Sequence, residues 1–397
     1  MSQPLIIVGA GLAGWTTARE FRKLDTTTPV LLVTADSGDF YAKPSLSNAF
    51  AQGRLPAQLI STPAAKMAET LNVTLLAHNR VEAIDTAAQT LSARSAGGVQ
   101  TLAYRDLVLA TGAQPIRVPV QGNAADAVVS INSLDDFAAF HARLQAVAGA
   151  PGAPQRHVLI MGAGLIGCEF ANDLAQAGVR VRVVDPGPRP LAALLPPEAS
   201  AALQAALESL GVQFDFGCTV RSVDQAADRL QVTLATGEVA AADAVLSAVG
   251  LRADTALAQA ASLQVDRAIV VNTHLQTSAA HVYALGDSAQ YASAPSLLSA
   301  HGSTLPYVMP IMSAARALAA TLAGTPTALA FALMPVSVKT PALPLVVAAA
   351  QAGLAGSWAA AGDGIWHWLD EAGQPRGFVL AGAQTAQRMA QAKLLTA

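Results

Sequence analysis

The chain has 397 residues, 52% of them hydrophobic and 13% charged, with a net charge of −3. That length supports two or three domains with a large core, and the sparse charge excludes nucleic acid or an anionic membrane surface as partner, since either calls for clustered Lys and Arg. No apolar run reaches a membrane span: Tyr307 to Gly324 is broken by Arg316, and Ala342 to Ala361 by Gly353 and Gly356.

In chain order, Leu5-Ile6-Ile7-Val8 runs into Gly9-Ala10-Gly11-Leu12-Ala13-Gly14. This is the pattern of a buried parallel strand ending in a Gly-x-Gly-x-x-Gly turn. Gly9 allows the tight turn, Gly11 admits a pyrophosphate, and Gly14 lets the next helix pack on the strand. The free N–H groups at the start of that helix, with its dipole, face an anion. The opening apolar run has no basic leader, so it is a strand and not a signal peptide, and cytoplasmic residence is expected. Ala13 to Leu24 reads as a helix, Asp25 to Pro29 as a loop, and Val30 to Val33 as a second buried strand. An acidic residue about 20 positions past the glycines commonly binds ribose hydroxyls. Here Thr34 stands at the strand end with Ala35 and then Asp36 after it, so the ribose contact is displaced to Asp36, for which an ordinary loop carboxylate is the alternative.

Tyr41-Ala42-Lys43-Pro44 follows, with Lys43 biased toward an extended backbone by the proline after it. Short strands are expected at Val73–Leu76 and Val81–Ile84. Leu107-Val108-Leu109 then enters Ala110-Thr111-Gly112, a second close backbone approach with the Thr111 hydroxyl available to a cofactor. Ala148 to Pro154, rich in Gly, Ala and Pro, reads as a linker.

Val158 to Met161 leads into Gly162-Ala163-Gly164-Leu165-Ile166-Gly167, a repeat of the opening fingerprint about 150 residues later. Val181 to Val184 ends in Asp185, placed to hold a 2'-hydroxyl and repel a 2'-phosphate, which favours NADH over NADPH; Arg189 nearby weakens that exclusion. An Ala-rich helix to about Leu210, strands within Val212 to Leu234, a turn at Thr236-Gly237-Glu238 and an apolar strand from Asp243 to Gly250 complete this unit. His281 to Leu285 reads as a strand that delivers Gly286-Asp287 to the mouth of a sheet. Pro306 to Pro310, with Val308, leads into a helix over Ile311–Ala323. From Pro326 the chain alternates short strands and turns and ends in a polar helix, Gln384 to Leu395, as a separate small α+β domain. Cys168 and Cys218 are far apart and read as packing residues, so no dithiol carries electrons, and no metal-ligand spacing stands out.

The two fingerprints, Ala110-Thr111-Gly112, and Thr277-Ser278 with Tyr283-Ala284-Leu285-Gly286-Asp287 together resemble the FAD-dependent pyridine-nucleotide oxidoreductases. Thr34-Ala35-Asp36 with Tyr41-x-Lys43-Pro44-x-Leu46-Ser47, Gly167-Cys168-Glu169-Phe170-Ala171-Asn172-Asp173-Leu174, Tyr307 to Pro310 and Pro335 to Pro341 are similar to the bacterial rubredoxin reductases within that family. The resemblance implies an α/β fold with two nested Rossmann-like dinucleotide-binding domains. An FAD domain of residues 1–114 and 246–325 would hold an NAD domain of 115–245, with a C-terminal α+β domain at 326–397. It further implies a Lys43–Glu169 ion pair beside the flavin, Asp287 on the ribityl chain, the Val81 backbone at the adenine, and Lys339 approaching the isoalloxazine. Gly250 belongs with Gly162, Gly164, Gly167 and Asp185 at the nucleotide site. The implied activity passes electrons from NADH through FAD to rubredoxin or a similar small acidic iron protein. A ferredoxin reductase, a reductase for a rubredoxin domain of a nitric-oxide-reducing flavoprotein, and a redox-sensing NAD/FAD protein are the alternatives. Disulfide reductases need a reactive Cys where this chain has Lys43 and Ser45. Arg316, Lys339, Arg376, Arg388 and Lys393 are the candidate cations for partner docking.

Overall fold

A computed structural model describes residues 3–148, 155–292, 304–333, 335–351 and 353–395. They form two compact units, one of residues 1–42, 60–114 and 252–334, the other of 43–59, 115–251 and 335–397. Of the linker expected over Ala148 to Pro154, Ala148 instead ends a helix, Leu134–Ala148, and residues 149–154 lie outside the described residues.

The first unit is built on a five-stranded parallel sheet ordered Val282–Ala284, Asp106–Leu109, Leu5–Val8, Val30–Val33, Thr74–Leu76. Leu5, Ile6 and Ile7 are fully buried, as a central strand covered on both faces requires. Each such side chain contributes about 1.5–3 kcal/mol on burial. Helices Leu12–Arg22 and Val308–Leu322 pack on each other, Thr16 Oγ1 lying 3.8 Å from Met312 Sδ. A three-stranded antiparallel sheet, Arg80–Asp85, Thr90–Ser95 and Gly98–Ala103, completes the unit; its second and third strands were not anticipated.

The second unit repeats the plan with a parallel sheet ordered Gln213–Phe216, Arg180–Asp185, His157–Met161, Ala244–Ser247, Val128–Val129. It also contains an antiparallel C-terminal sheet ordered Val336–Val338, Leu345–Ala348, Pro375–Ala381, Ile365–Asp370, Gly356–Gly362. The polar C-terminal stretch is a 3-10 turn over Gly382–Gln387 followed by a short α-helix, Arg388–Leu394. Two corrections concern backbone. Lys43 opens a 3-10 helix, Lys43–Asn48, and is not extended. An unexpected helix, Leu134–Ala148, buries Phe137, Phe140 and Leu144 along one face.

Candidate cofactor sites

In the first unit the glycine turn leaves the C-terminal end of the central strand. Gly9 has φ +107°, and a Cβ there would lie 2.3 Å from the Ala110 carbonyl oxygen; a Cβ on Gly14 would lie 1.9 Å from the Gly9 carbonyl oxygen. These two glycines are therefore required by packing. Gly11 is different: a Cβ there meets nothing within 4 Å. It is also the N-cap of Leu12–Arg22, makes no side-chain cap, and has no acidic residue in the turn after it. The first N–H groups of this helix, at Leu12, Ala13 and Gly14, have no intrahelical carbonyl to bond, and the turn is open at Gly11, the donor set a pyrophosphate uses.

The other predicted residues of this unit gather on the same sheet edge. Thr34 Oγ1 donates to Asp36 Oδ1 at 2.6 Å, and Gly38 N–H donates to the same oxygen at 3.0 Å, so the displaced carboxylate is held by the threonine that displaced it. Trp15 Nε1 fixes this loop by donating to the Gly38 carbonyl at 2.8 Å. Asn79 N–H donates to Thr34 O at 2.8 Å and His78 N–H to Asp36 O at 2.9 Å. Val81 therefore enters its strand at the corner that holds Ala35 and Asp36. Ala110 N–H donates to Val8 O at 2.9 Å, carrying Ala110-Thr111-Gly112 alongside the glycine turn. The Thr111 hydroxyl donates to the Asp254 carbonyl at 3.1 Å, which leaves its oxygen lone pairs to accept from a ligand. Gly286 closes the site from the outer strand, since a Cβ there would stand 3.0 Å from that of Ala13, and Asp287 follows it.

Val308 begins the helix Val308–Leu322. At the far end, the Leu322 carbonyl accepts from Arg105 Nη2 at 3.1 Å, while Arg105 N–H donates to Pro4 O at 2.8 Å. The helix C-terminus is thus pinned at the entry of the first strand, and the helix runs back against the sheet. Its uncapped N-terminus, with Val308 40% and Met309 56% exposed, lies at the strand exits where the glycines are.

The second unit repeats the geometry. A Cβ on Gly167 would lie 1.9 Å from Gly162 O, whereas one on Gly164, the uncapped N-cap of Leu165–Gln176, meets nothing within 4 Å. Asp185 ends the adjacent strand and accepts from Ala163 N–H on Oδ2 and Gly187 N–H on Oδ1, both at 2.6 Å. It is thereby fixed beside the turn. Arg189 reaches the carbonyls of Ala192 and Leu195 at 3.4 Å through Nη2, within its own loop. Gly250, with φ +111°, follows the strand Ala244–Ser247 and accepts from Ile116 N–H at 3.0 Å. Cys168 is fully buried, and burial pushes its thiol up to about 12, which leaves it inert.

Helix Leu165–Gln176 also carries Glu169, 1% exposed. Its partner is Lys339, not Lys43: Lys339 Nζ forms the ion pair with Oε2, Lys339 N–H donates to Oε1 at 2.9 Å, and Ser47 Oγ donates to Oε2 at 2.7 Å. Lys43 Nζ instead donates to Asn132 Oδ1 at 3.2 Å. The expected Lys43–Glu169 pair is therefore replaced, because Lys339 brings both its backbone and its ammonium to the same carboxylate. Ser47, Asn172 and Asp173 stand in the motifs that carry the resemblance but were assigned no role from the sequence. Asn172 Oδ1 accepts from Ala342 N–H at 3.0 Å, and Asp173 accepts from Phe50 N–H at 3.0 Å and Ala51 N–H at 2.8 Å. Burial pushes the Asp173 carboxyl up, and those N–H groups oppose the shift. The spacing of Glu169, Asn172 and Asp173, three and four residues apart on an apolar helix, was the available signal for one buried polar face.

Known proteins match this chain along its length. The family of pyridine nucleotide-disulphide oxidoreductases matches residues 3–317, and a rubredoxin-binding C-terminal domain matches residues 328–395. The chain is 41% identical to a rubredoxin-NAD(+) reductase of Alcanivorax borkumensis over 99% of both chains. It is 39% identical to a nitric oxide reductase FlRd-NAD(+) reductase of Aeromonas salmonicida, over 97% of this chain and 94% of that one. Among solved structures, a ferredoxin reductase from Rhodopseudomonas palustris superposes with a TM-score of 0.85 at 25% identity, covering 98% of this chain and 93% of that one. A putidaredoxin reductase, 24% identical and covering 100% and 93%, shares the fold with a TM-score of 0.87. The chain belongs to the pyridine nucleotide-disulphide oxidoreductase family and, within it, to the group that carries a rubredoxin-binding C-terminal domain.

Proposed function

We propose that this oxidoreductase takes a hydride equivalent from NADH onto bound FAD and delivers the electrons one at a time to rubredoxin. The observation that carries the proposal is the duplicated turn in which the outer glycines are demanded by packing and the middle one faces open space. Bound FAD supplies the conversion between two-electron and one-electron chemistry; the protein supplies position and charge. In the first unit, N–H groups of Gly11, Leu12, Ala13 and Gly14 hold a pyrophosphate. Asp36 takes a ribose hydroxyl, the Val81 backbone meets the adenine, Ala110-Thr111-Gly112 and Gly286 give close backbone approach, and Asp287 takes the ribityl chain. The Val308 helix N-terminus favours negative charge on the reduced ring. In the second unit, Gly162, Gly164, Gly167 and Gly250 cradle NADH and Asp185 holds its 2'-hydroxyl. By the family resemblance Lys43 and Lys339 would supply positive charge to the flavin, and Glu169 keeps the partly buried Lys339 compensated.

We assign the FAD site to residues 1–114 and 246–325, the NAD site to 115–245, and partner binding to 326–397. Among the described residues no helix is long and apolar enough to cross a membrane. A cytoplasmic location, where NADH is available, fits that. The Aeromonas relative makes the acceptor in a nitric-oxide-reducing flavoprotein a second reading with the same donor half. The test is a panel of one-electron acceptors at saturating NADH, repeated at high salt. Rubredoxin is expected to turn over fastest, with a rate that falls as salt rises. Equal or faster turnover with ferredoxin overturns the acceptor assignment, and slow turnover with every iron protein points to a sensor instead.

A further inference from the structure

The two glycine turns share a sequence pattern but are not held alike. In the second, Ala163 is gripped at both ends: its N–H donates to Asp185 Oδ2 at 2.6 Å, and its carbonyl accepts from Leu191 N–H at 2.9 Å and from Cys168 Sγ at 3.3 Å. Ala10 is the counterpart in the first turn, and among the described residues its carbonyl has no donor. Leu191 makes its contact in a strained conformation. It is 3% exposed and has φ +52°, a left-handed backbone that a bulky residue rarely adopts. Such a conformation persists only where its surroundings over-determine it. Here the loop around it is tied at three points: Gly217 N–H donates to Gly187 O at 3.0 Å, the buried Ser200 hydroxyl to Pro190 O at 2.7 Å, and Leu194 N–H to Leu191 O at 2.8 Å.

We propose that Leu191 is a positioning residue for NADH, holding the second turn in its binding shape; this rests on the NAD site proposed above. Across a planar trans peptide the C=O and the following N–H point in opposite directions. Fastening the Ala163 carbonyl to the loop therefore turns the Gly164 N–H away from it, and among the described residues that N–H has no acceptor in the protein. It is left for the pyrophosphate. A preformed turn spares the ordering that binding would otherwise require. That suits a dinucleotide that must arrive and leave at every turnover. The pyrophosphate is common to NADH and NADPH, so Leu191 acts on affinity for both, while Asp185 acts on the choice between them.

The test uses the flavin-loaded full-length protein with Leu191→Ile, which keeps the volume but adds a β-branch that φ +52° disfavours, and Leu191→Met, which adds none. In NADH–ferricyanide kinetics Leu191→Ile is expected to raise KM for NADH about fivefold, with kcat within about twofold and flavin content unchanged. KM for NADPH should rise by the same factor. Leu191→Met should match wild type within about twofold in every parameter. An unchanged KM in Leu191→Ile, or a rise as large in Leu191→Met, overturns the assignment and leaves Leu191 a packing residue. A rise for NADH alone moves the effect to Asp185 and overturns it too. Should Leu191→Ile fail to fold, amide hydrogen exchange on the wild type decides: the Leu191 N–H should be protected before any nucleotide is added, and rapid exchange in the free protein overturns the preformed contact. A normal KM for NADH in Gly164→Ala would remove the site itself, and not only the role of Leu191.

Discussion

Gly164→Ala and Gly167→Ala, three residues apart in one turn, should fail in opposite ways. A methyl on Gly167 would sit 1.9 Å from the Gly162 carbonyl oxygen and 3.0 Å from its carbon, both backbone atoms that cannot rotate away. Overpacking against rigid neighbours costs about 1–3 kcal/mol. For a unit of this size each kcal/mol lowers Tm by about 2–4 °C. A fall of about 2–12 °C is therefore expected on scaling those two figures together. Gly164 has φ −74°, which alanine adopts freely, and its Cβ meets nothing within 4 Å. That variant should melt within about 1 °C of wild type, since a surface substitution of this kind costs under about 0.5 kcal/mol. Its methyl, however, enters the space assigned to the NADH pyrophosphate, so KM for NADH should rise at least about tenfold, equivalent to about 1.4 kcal/mol. The assays are thermal melts and steady-state NADH–ferricyanide kinetics. Normal NADH KM in Gly164→Ala would refute the assignment of that space to the nucleotide. A Tm drop equal to that of Gly167→Ala would refute the packing argument.

Asp185→Ala should lower the preference for NADH over NADPH by about tenfold in the ratio of kcat/KM values, because the carboxylate that repels a 2'-phosphate is gone; an unchanged ratio removes Asp185 from nucleotide recognition. The Asp173 carboxyl is raised above its ordinary 3.8 by burial. Its contribution to stability is thus fully present below that value and lost as pH rises through the folded-state pKa. Wild type minus Asp173→Asn, measured by urea unfolding, should accordingly shift against wild type between acid and neutral pH; a shift the other way contradicts the burial argument. Iodoacetamide at pH 8 should leave NADH oxidation intact in the native protein, since both cysteines are buried and the Cys168 thiol sits near 12. Rapid inactivation through either cysteine would mean a reactive thiol at the site.

Much of the two dinucleotide units was legible because strand, glycine turn and helix follow one another within about 30 residues in such a motif, where local pattern dictates structure. The helix Leu134–Ala148 was legible too and was missed. Ser133 and Asp136 form a reciprocal cap, Asp136 N–H donating to Ser133 Oγ at 3.1 Å and Ser133 N–H to Asp136 Oδ2 at 2.9 Å, ahead of apolar positions at helical spacing. The partner of Glu169 was a different matter. Lys43 and Lys339 both precede a stretch the topology folds toward that helix, and nothing local says which ammonium arrives. The answer depends on Lys339 also bringing its backbone N–H, which only the register of the strand Val336–Val338 determines. Likewise, the Thr34 hydroxyl that holds Asp36 is a contact between residues two apart in a loop, which no periodicity signals.

The most direct measurement is an anaerobic titration of the purified, yellow protein with NADH, followed by rubredoxin, with the flavin band and the rubredoxin band read together. One NADH per flavin should bleach the flavin, and about two rubredoxins should then be reduced per NADH as the flavin colour returns. A colourless protein that takes up no flavin, or a flavin band that NADH leaves unchanged, would contradict the transfer of electrons from NADH to FAD on this chain.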